Sequence, residues 1–222
     1  MITVTKTFLP PLEEYTEYLK KIWDRAYVTN NGPCVQELEQ KLKDFLGVKH
    51  LFLLNNGTAA LQIAIKALDL KGEVITTPFS YVATTSSLVW ENCTTVFAHI
   101  DPHTINVSVE EIEKSITDKT SAILVTHVYG NACEVEQIQA LAEERGLKVI
   151  YDAAHAFNTG WKGQSILSWG DISTLSFHAT KLFHTVEGGA MVTNNDEIAH
   201  KISYLRNFGH KGYEDFWGVG IN

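Results

Sequence analysis

The chain has 222 residues, 45% hydrophobic and 20% charged, with a formal net charge of −8 and a pI near 5.6. That is the make-up of a soluble globular protein with one substantial core. The acidic balance and the lack of a Lys/Arg-rich block exclude a nucleic-acid surface, and no apolar stretch approaches membrane-spanning length.

From the N-terminus, Met1–Lys6 lacks the apolar core and cleavage site of a signal peptide. Pro10-Pro11 leads into a predicted helix, Leu12–Arg25, with Leu12, Tyr15, Leu19 and Ile22 at helical spacing. Asn30-Asn31-Gly32-Pro33 reads as a turn, and Val35–Leu46 as a second amphipathic helix stopped by Gly47. A regular pattern follows. β-rich apolar runs at Leu51–Leu54, Val74–Thr77, Thr95–Ile100, Ala122–Thr126, Lys148–Tyr151, Ile172–Phe177 and Ala190–Thr193 enclose helical segments. The helices are expected at Thr58–Leu68, Tyr81–Trp90, Val109–Ile116, Val135–Glu144 and Glu197–Arg206. Ser108 and Glu111 form a capping-box start, and Gly146 is a stop. Trp161-Lys162-Gly163 reads as a turn in a less regular stretch.

Strand alternating with helix predicts an α/β domain with a mostly parallel seven-stranded sheet and helices on both faces. In such sheets ligands gather at the carboxyl ends of the strands. Cys34, Cys93 and Cys133 are too scattered for a disulfide framework or a thiolate metal site, which fits a reducing cytoplasm. The nine histidines form no metal-ligand pattern. No Walker loop, dinucleotide glycine triplet or Gly-x-Ser-x-Gly elbow is present.

Four local signals fall at strand ends. Asn56-Gly57-Thr58-Ala59 opens a helix with free N–H groups and a hydroxyl that can hold a phosphate, although a plain threonine cap reads the same way. Tyr81, in Thr77–Thr84, can stack on a ring or simply pack in the core. Asp152 ends a buried strand before Ala153-Ala154-His155; it is either a helix cap or a carboxylate facing a heterocyclic N–H⁺. Lys181, in Ser176-Phe177-His178-Ala179-Thr180-Lys181, is a loop lysine or an amine placed to form a Schiff base with an aldehyde cofactor. Phosphate cradle, ring stack, ring-nitrogen carboxylate and amine together suit pyridoxal 5′-phosphate (PLP).

These strings, in this order, together with Asn31-Gly32-Pro33, Val128-Tyr129-Gly130-Asn131 and Glu187-Gly188-Gly189, resemble the DegT/StrS nucleotide-sugar aminotransferases. The resemblance implies the fold type I aminotransferase large domain over 34–222, preceded by an N-terminal segment with a helix over 1–33. The small C-terminal domain of relatives is expected to be missing, leaving the activity of the chain open. It implies Lys181 as the Schiff-base lysine and Asp152 as partner of the pyridine nitrogen. Thr58, the Ala59 backbone and Ser176 would hold the phosphate, Tyr81 would stack on the ring, and His155 would stand near the ring hydroxyl. Asn222, ending a Gly-x-Asn segment, would reach the neighbouring subunit's cofactor in a homodimer with a shared active site. Asn158 stands where relatives usually have glycine, and Lys181 argues against the dehydratase relatives that carry histidine there. The implied activity is amino transfer from an amino acid, glutamate, to the keto-sugar of a nucleotide diphosphate. The closest implied case is dTDP-4-keto-6-deoxyglucose, for surface polysaccharide such as O-antigen. A non-catalytic PLP-binding or regulatory homologue, or an inactive fragment, is the alternative.

Overall fold

The computed structural model describes residue 2 and residues 5–221. Helices α1 (Leu12–Arg25) and α2 (Pro33–Leu46) come first. Then β1 (His50–Leu54), α3 (Gly57–Ala67), β2 (Glu73–Thr76), α4 (Val82–Trp90), β3 (Thr94–Phe97), α5 (Val109–Lys114), β4 (Thr120–Thr126), α6 (Val135–Arg145) and β5 (Lys148–Asp152) alternate. A short hairpin, β6 (Gly160–Trp161) and β7 (Gln164–Ser165), precedes β8 (Ile172–Ser176), β9 (Gly189–Thr193) and α7 (Asp196–Leu205). A second hairpin, β10 (His210–Lys211) and β11 (Asp215–Phe216), follows.

The main sheet has seven strands in the order β1-β9-β8-β5-β4-β2-β3. β9 runs antiparallel to both its neighbours; the pairs β8–β5, β5–β4, β4–β2 and β2–β3 are parallel. Period-two alternation divides the core between the faces. Ala122, Leu124, Ile150, Ile172 and Met191 pack with α3 and α7 on one side. Ile123, Val125, Tyr151, Leu175 and Val192 pack with α2 and α6 on the other. Each fully buried branched side chain contributes roughly 1.5–3 kcal/mol, and these central strands supply many of them. The expected mostly parallel sheet, covered on both faces, is observed.

Local devices follow the sequence. Ser108 Oγ accepts the Glu111 N–H at the start of α5, and Gly47 and Gly146 close α2 and α6 in the left-handed region. Lys162 and Gly163, both with positive φ (47° and 84°), make the two-residue turn of the β6–β7 hairpin. Asn158 has φ 59°, left-handed geometry in which asparagine is one of the few non-glycine residues at ease. The third strand ends at Phe97, short of the expected Ile100, because Ile100 turns away to bridge Val107. Helix α1 differs from the rest: none of its residues is buried, and it relies on local pairs such as Lys20–Glu17 (2.7 Å). Asn222 lies outside the described residues.

Candidate active site

At the carboxyl ends of β4, β5 and β8, the chain leaves the sheet beside the first turn of α3. A cavity of about 640 Å³ opens there, lined by Thr58, Tyr81, Asp152, His155, Ser176 and Lys181 and also by Gly57 and Thr126. Six of the expected site residues, spread over more than half the sequence, thus share one space.

Two glycines let the backbones meet. A Cβ on Gly57 would come within 2.9 Å of Ser176 Cβ, and one on Gly189 within 2.7 Å of the Gly57 nitrogen. The N-terminus of α3 therefore sits directly against the end of β8, with β9 beneath it. Asn56 caps this helix by accepting the Ala59 N–H at 2.8 Å. The Ala59 amide, expected on a phosphate, is thus engaged by Asn56, and the residue lines a different cavity. Gly57 and Thr58, the first two residues of the helix, line the site.

Asp152 is buried, with 7% of its surface exposed, so its carboxylate must be held by donors. Thr84 Oγ1 donates to one oxygen at 2.7 Å and the Ala154 N–H to the other at 3.1 Å. Each oxygen keeps a further lone pair for a donor in the cavity. Beside it, Thr126 Oγ1 is buried with no hydrogen-bond partner among the described residues. An orphaned hydroxyl and an incompletely used carboxylate at one floor suit a heterocycle with an N–H⁺ and polar substituents.

His155 follows two alanines. Its Nδ1 accepts the Tyr129 N–H at 3.4 Å, and its ring stacks on Tyr129, with centroids 5.9 Å apart and planes within 9°. The neutral ring therefore carries its proton on Nε2. Desolvation lowers the pKa of His155; the nearby charge of Lys181 adds to this, and Asp152 opposes it. The imidazole is neutral near pH 7.

Lys181 sits on the loop between β8 and β9, where its N–H donates to the His178 carbonyl (2.9 Å). Phe183, two residues on, stacks on Phe157 (4.7 Å) and meets the edge of Phe177 (4.9 Å), anchoring the loop. The N-terminal segment crosses it: Thr7 Oγ1 donates to the Ala179 carbonyl, and His184 Nε2 donates to the Phe8 carbonyl at 2.6 Å. Tyr81, the N-cap of α4, is 75% exposed, with its ring at the mouth and not in the core.

Two contributors escaped the sequence reading. Thr84 and Thr126 carry no local signature; the only clue is a hydroxyl on an otherwise apolar, buried face, which must find a partner.

The family model for DegT/DnrJ/EryC1/StrS aminotransferases matches residues 12–221. The chain belongs to this family. It is 53% identical over 221 residues to a dTDP-4-amino-4,6-dideoxy-D-glucose transaminase of Shigella dysenteriae, covering 100% of this chain and 60% of the relative. An Escherichia coli protein of the same name is 47% identical, with the same coverage. The chain thus spans about 60% of the length of these curated relatives. Among solved structures, DesI with its TDP-sugar product superposes with a TM-score of 0.90 at 35% identity, over 98% of this chain and 55% of that one. NtdA of Bacillus subtilis, solved with bound pyridoxamine phosphate, gives 0.87 at 27% identity, over 100% of this chain and 53% of that one. The architecture is that of the fold type I aminotransferases, and the DegT/StrS aminotransferases are PLP-dependent enzymes.

Proposed function

We propose that the chain is the cofactor-binding portion of a PLP-dependent transaminase acting on the keto-sugar of a nucleotide diphosphate. The observation that carries this reading is the convergence of buried Asp152, at the end of β5, and of Lys181, on the loop after β8, on one cavity, with the first turn of α3 against the end of β8. Gly57 and Thr58 amides, the Thr58 hydroxyl and Ser176 Oγ hold the phosphate, where the helix N-terminus favours an anion. Asp152 holds the pyridine nitrogen, Tyr81 covers the ring, and His155 stands near the ring hydroxyl. Bound PLP supplies an aldehyde that accepts an amine and a ring that takes up an electron pair. Lys181 would hold that aldehyde, and its amine, when free, would carry a proton to and from the carbon that bears the amino group. Asp152 keeps the ring nitrogen protonated, which makes the ring an electron sink.

The names of the 53%- and 47%-identical relatives support a dTDP-4-keto-6-deoxy sugar as acceptor; glutamate is the proposed donor. A homodimer with a shared site is supported by the solvent-facing Tyr213, Phe216 and Val219 around β10–β11, apolar side chains that a second subunit would cover. A cytoplasmic setting and a role in surface polysaccharide such as O-antigen belong to the same proposal. No helix among the described residues is long and apolar enough to cross a membrane.

The test is covalent capture. The chain incubated with PLP and then borohydride should gain one reduced adduct, mapped by mass spectrometry to Lys181 and lost in Lys181→Ala. An adduct on another lysine would overturn the assignment. Glutamate should convert the bound cofactor to its amine form; a spectrum unchanged by glutamate, in the chain and in a longer gene product alike, would favour a non-catalytic binder.

A further inference from the structure

Asn106 lies outside the cavity, in the turn between β3 and α5, and is 3% exposed. That turn is rigid. Asp101 N–H donates to the Asn106 carbonyl and Ile105 N–H to the Asp101 carbonyl, both at 2.8 Å. The Asp101 carboxylate accepts the His103 and Thr104 N–H groups at 2.9 and 2.8 Å. From this base the Asn106 side chain directs both its donors and one lone pair of its oxygen at one target. Its Oδ1 accepts the Val128 N–H at 2.9 Å, and its Nδ2 donates to the carbonyls of Asn131 (3.1 Å) and Ala132 (3.0 Å).

The loop so gripped is the one that carries Tyr129. Tyr129 has φ 52° and ψ 24°, left-handed geometry that an aromatic residue adopts only when its surroundings impose it. That geometry turns the Tyr129 N–H toward His155 Nδ1 and lays the two rings parallel. Gly130 packs so tightly behind it that a Cβ there would come within 3.0 Å of the His155 carbonyl oxygen. The loop is therefore clamped from two sides: Asn106 holds Val128, Asn131 and Ala132, while the His155 segment holds the residues between.

We propose that Asn106 is a positioning residue for the cavity, fixing the orientation and tautomer of His155 through the Val128–Ala132 backbone. Its effect on the reaction rests on the transaminase reading above; its effect on the His155 ring does not. With Nδ1 committed to the Tyr129 N–H, the only ring proton is on Nε2, so His155 offers the cavity a donor. Without Asn106, nothing polar in its place satisfies both ends of the loop. Tyr129 would relax to an ordinary conformation, and the ring would be free to flip and to exchange tautomers.

The test is nitrogen NMR on the cofactor-free chain with labelled histidine, the His155 signals assigned from His155→Gln. In the wild type, Nδ1 should have the shift of an unprotonated acceptor and couple to the Tyr129 amide across the hydrogen bond. In Asn106→Asp, which replaces both donations by a carboxylate facing carbonyls, and in Asn106→Ser, which is too short to reach them, that coupling should vanish. Both ring nitrogens should then move to averaged shifts, with the His155 pKa rising toward that of an ordinary histidine. His50, on edge strand β1 and far from this loop, has its Nε2 2.7 Å from Asp196 Oδ1 and reports whether the fold survives. A variant that keeps both the His50 signals and an unchanged His155 ring overturns the proposal. So does a wild-type spectrum with Nδ1 protonated, a result that needs no variant to fold. Borohydride capture at Lys181 should persist in Asn106→Ser; its absence from the wild type would defeat the PLP reading while leaving the NMR result intact.

Discussion

Asp152 and Lys181 reach the same cavity from supports of opposite character. Asp152 ends a central strand, is flanked by parallel β4 and β8, and is held by a threonine hydroxyl and a backbone amide. The His127 N–H ties the next strand end to the Asp152 carbonyl at 3.1 Å. Lys181 instead sits on a ten-residue loop, His178–Glu187, whose tip, Leu182, is 88% exposed. That loop is fixed by the Phe157–Phe177–Phe183 cluster and by contacts with the N-terminal segment, and not by the sheet. The difference fits the two tasks proposed for them. A partner for a ring nitrogen must not move, because charge stabilisation depends on preorganised geometry. An amine that first binds the cofactor and then carries a proton has to travel.

If the walls are independent, removing the travelling group should abolish chemistry and leave the fixed wall standing. Lys181→Ala is expected to lower single-turnover amino transfer toward the upper end of roughly 10²–10⁴-fold, the scale for losing a positioned acid–base group, and to lose borohydride capture. Its melting temperature should stay close to that of the wild type, because a half-exposed loop side chain contributes little to the core. Dialysis with PLP should still detect non-covalent binding; loss of all binding would mean that the fixed wall depends on the lysine.

The converse change is Asp152→Asn. The amide keeps the shape and can still accept the Thr84 hydroxyl, but it cannot hold a protonated ring nitrogen by charge. The rate should fall by roughly 10²–10³-fold, while borohydride still fixes the cofactor to Lys181. An equal loss of capture in Asp152→Asn and Lys181→Ala would join the two walls into one.

A third way to separate the walls is pH. His127, fully buried behind Asp152 and stacked on Tyr151 at 4.6 Å, has its pKa lowered to about 3 by burial, against 6.5 for a free imidazole. The unfolded chain binds a proton below pH 6.5 and the folded chain does not until about pH 3. Acidification through that window therefore favours unfolding. One such group tilts stability by about 1.4 kcal/mol per pH unit. Urea midpoints should fall from pH 6.5 downward, and His127→Gln, which can still accept the Cys133 N–H, should flatten the limb above pH 4.5, where carboxylates contribute little. An unchanged slope would mean that another group carries the acid sensitivity.

Much of this arrangement was legible because it is written locally. A β-rich run followed by Asp152-Ala153-Ala154-His155, or by Ser176 and then Lys181, places a polar group at a strand end whatever the rest of the chain does. Helix stops at Gly47 and Gly146 and the turn at Lys162-Gly163 depend on φ alone, and they fall where read. The reversed direction of β9 was not legible, since Gly189–Thr193 has the same apolar character read either way. Nor were Thr84 and Asn106, whose partners lie 68 and 22–26 residues away. Such pairings arise from tertiary packing, and a buried hydroxyl or amide announces only that it needs a partner, not which one. The Ala59 amide illustrates the same limit: the motif marked the helix start, and the competing Asn56 side chain took the donor.

The smallest effect should come from loosening the fixed wall without removing it. Thr84 is fully buried in the first turn of α4, and its hydroxyl donates to Asp152 Oδ2 at 2.7 Å. Valine has nearly the same shape, so Thr84→Val deletes one hydrogen bond and little packing. A hydrogen bond to a charged acceptor contributes about 1.5–3 kcal/mol, and a carboxylate deprived of it keeps only the Ala154 N–H among its observed donors. Stability should fall within that range, and amino transfer roughly tenfold, since about 1.4 kcal/mol of lost transition-state stabilisation is a factor of ten. Thr84→Ser keeps the hydroxyl and loses a methyl group; it should retain most of the rate while giving up about 1 kcal/mol of burial. Rate and stability thus part company between the two variants. If serine slows the reaction and valine does not, the methyl packing of α4, and not the hydrogen bond, is what keeps Asp152 still.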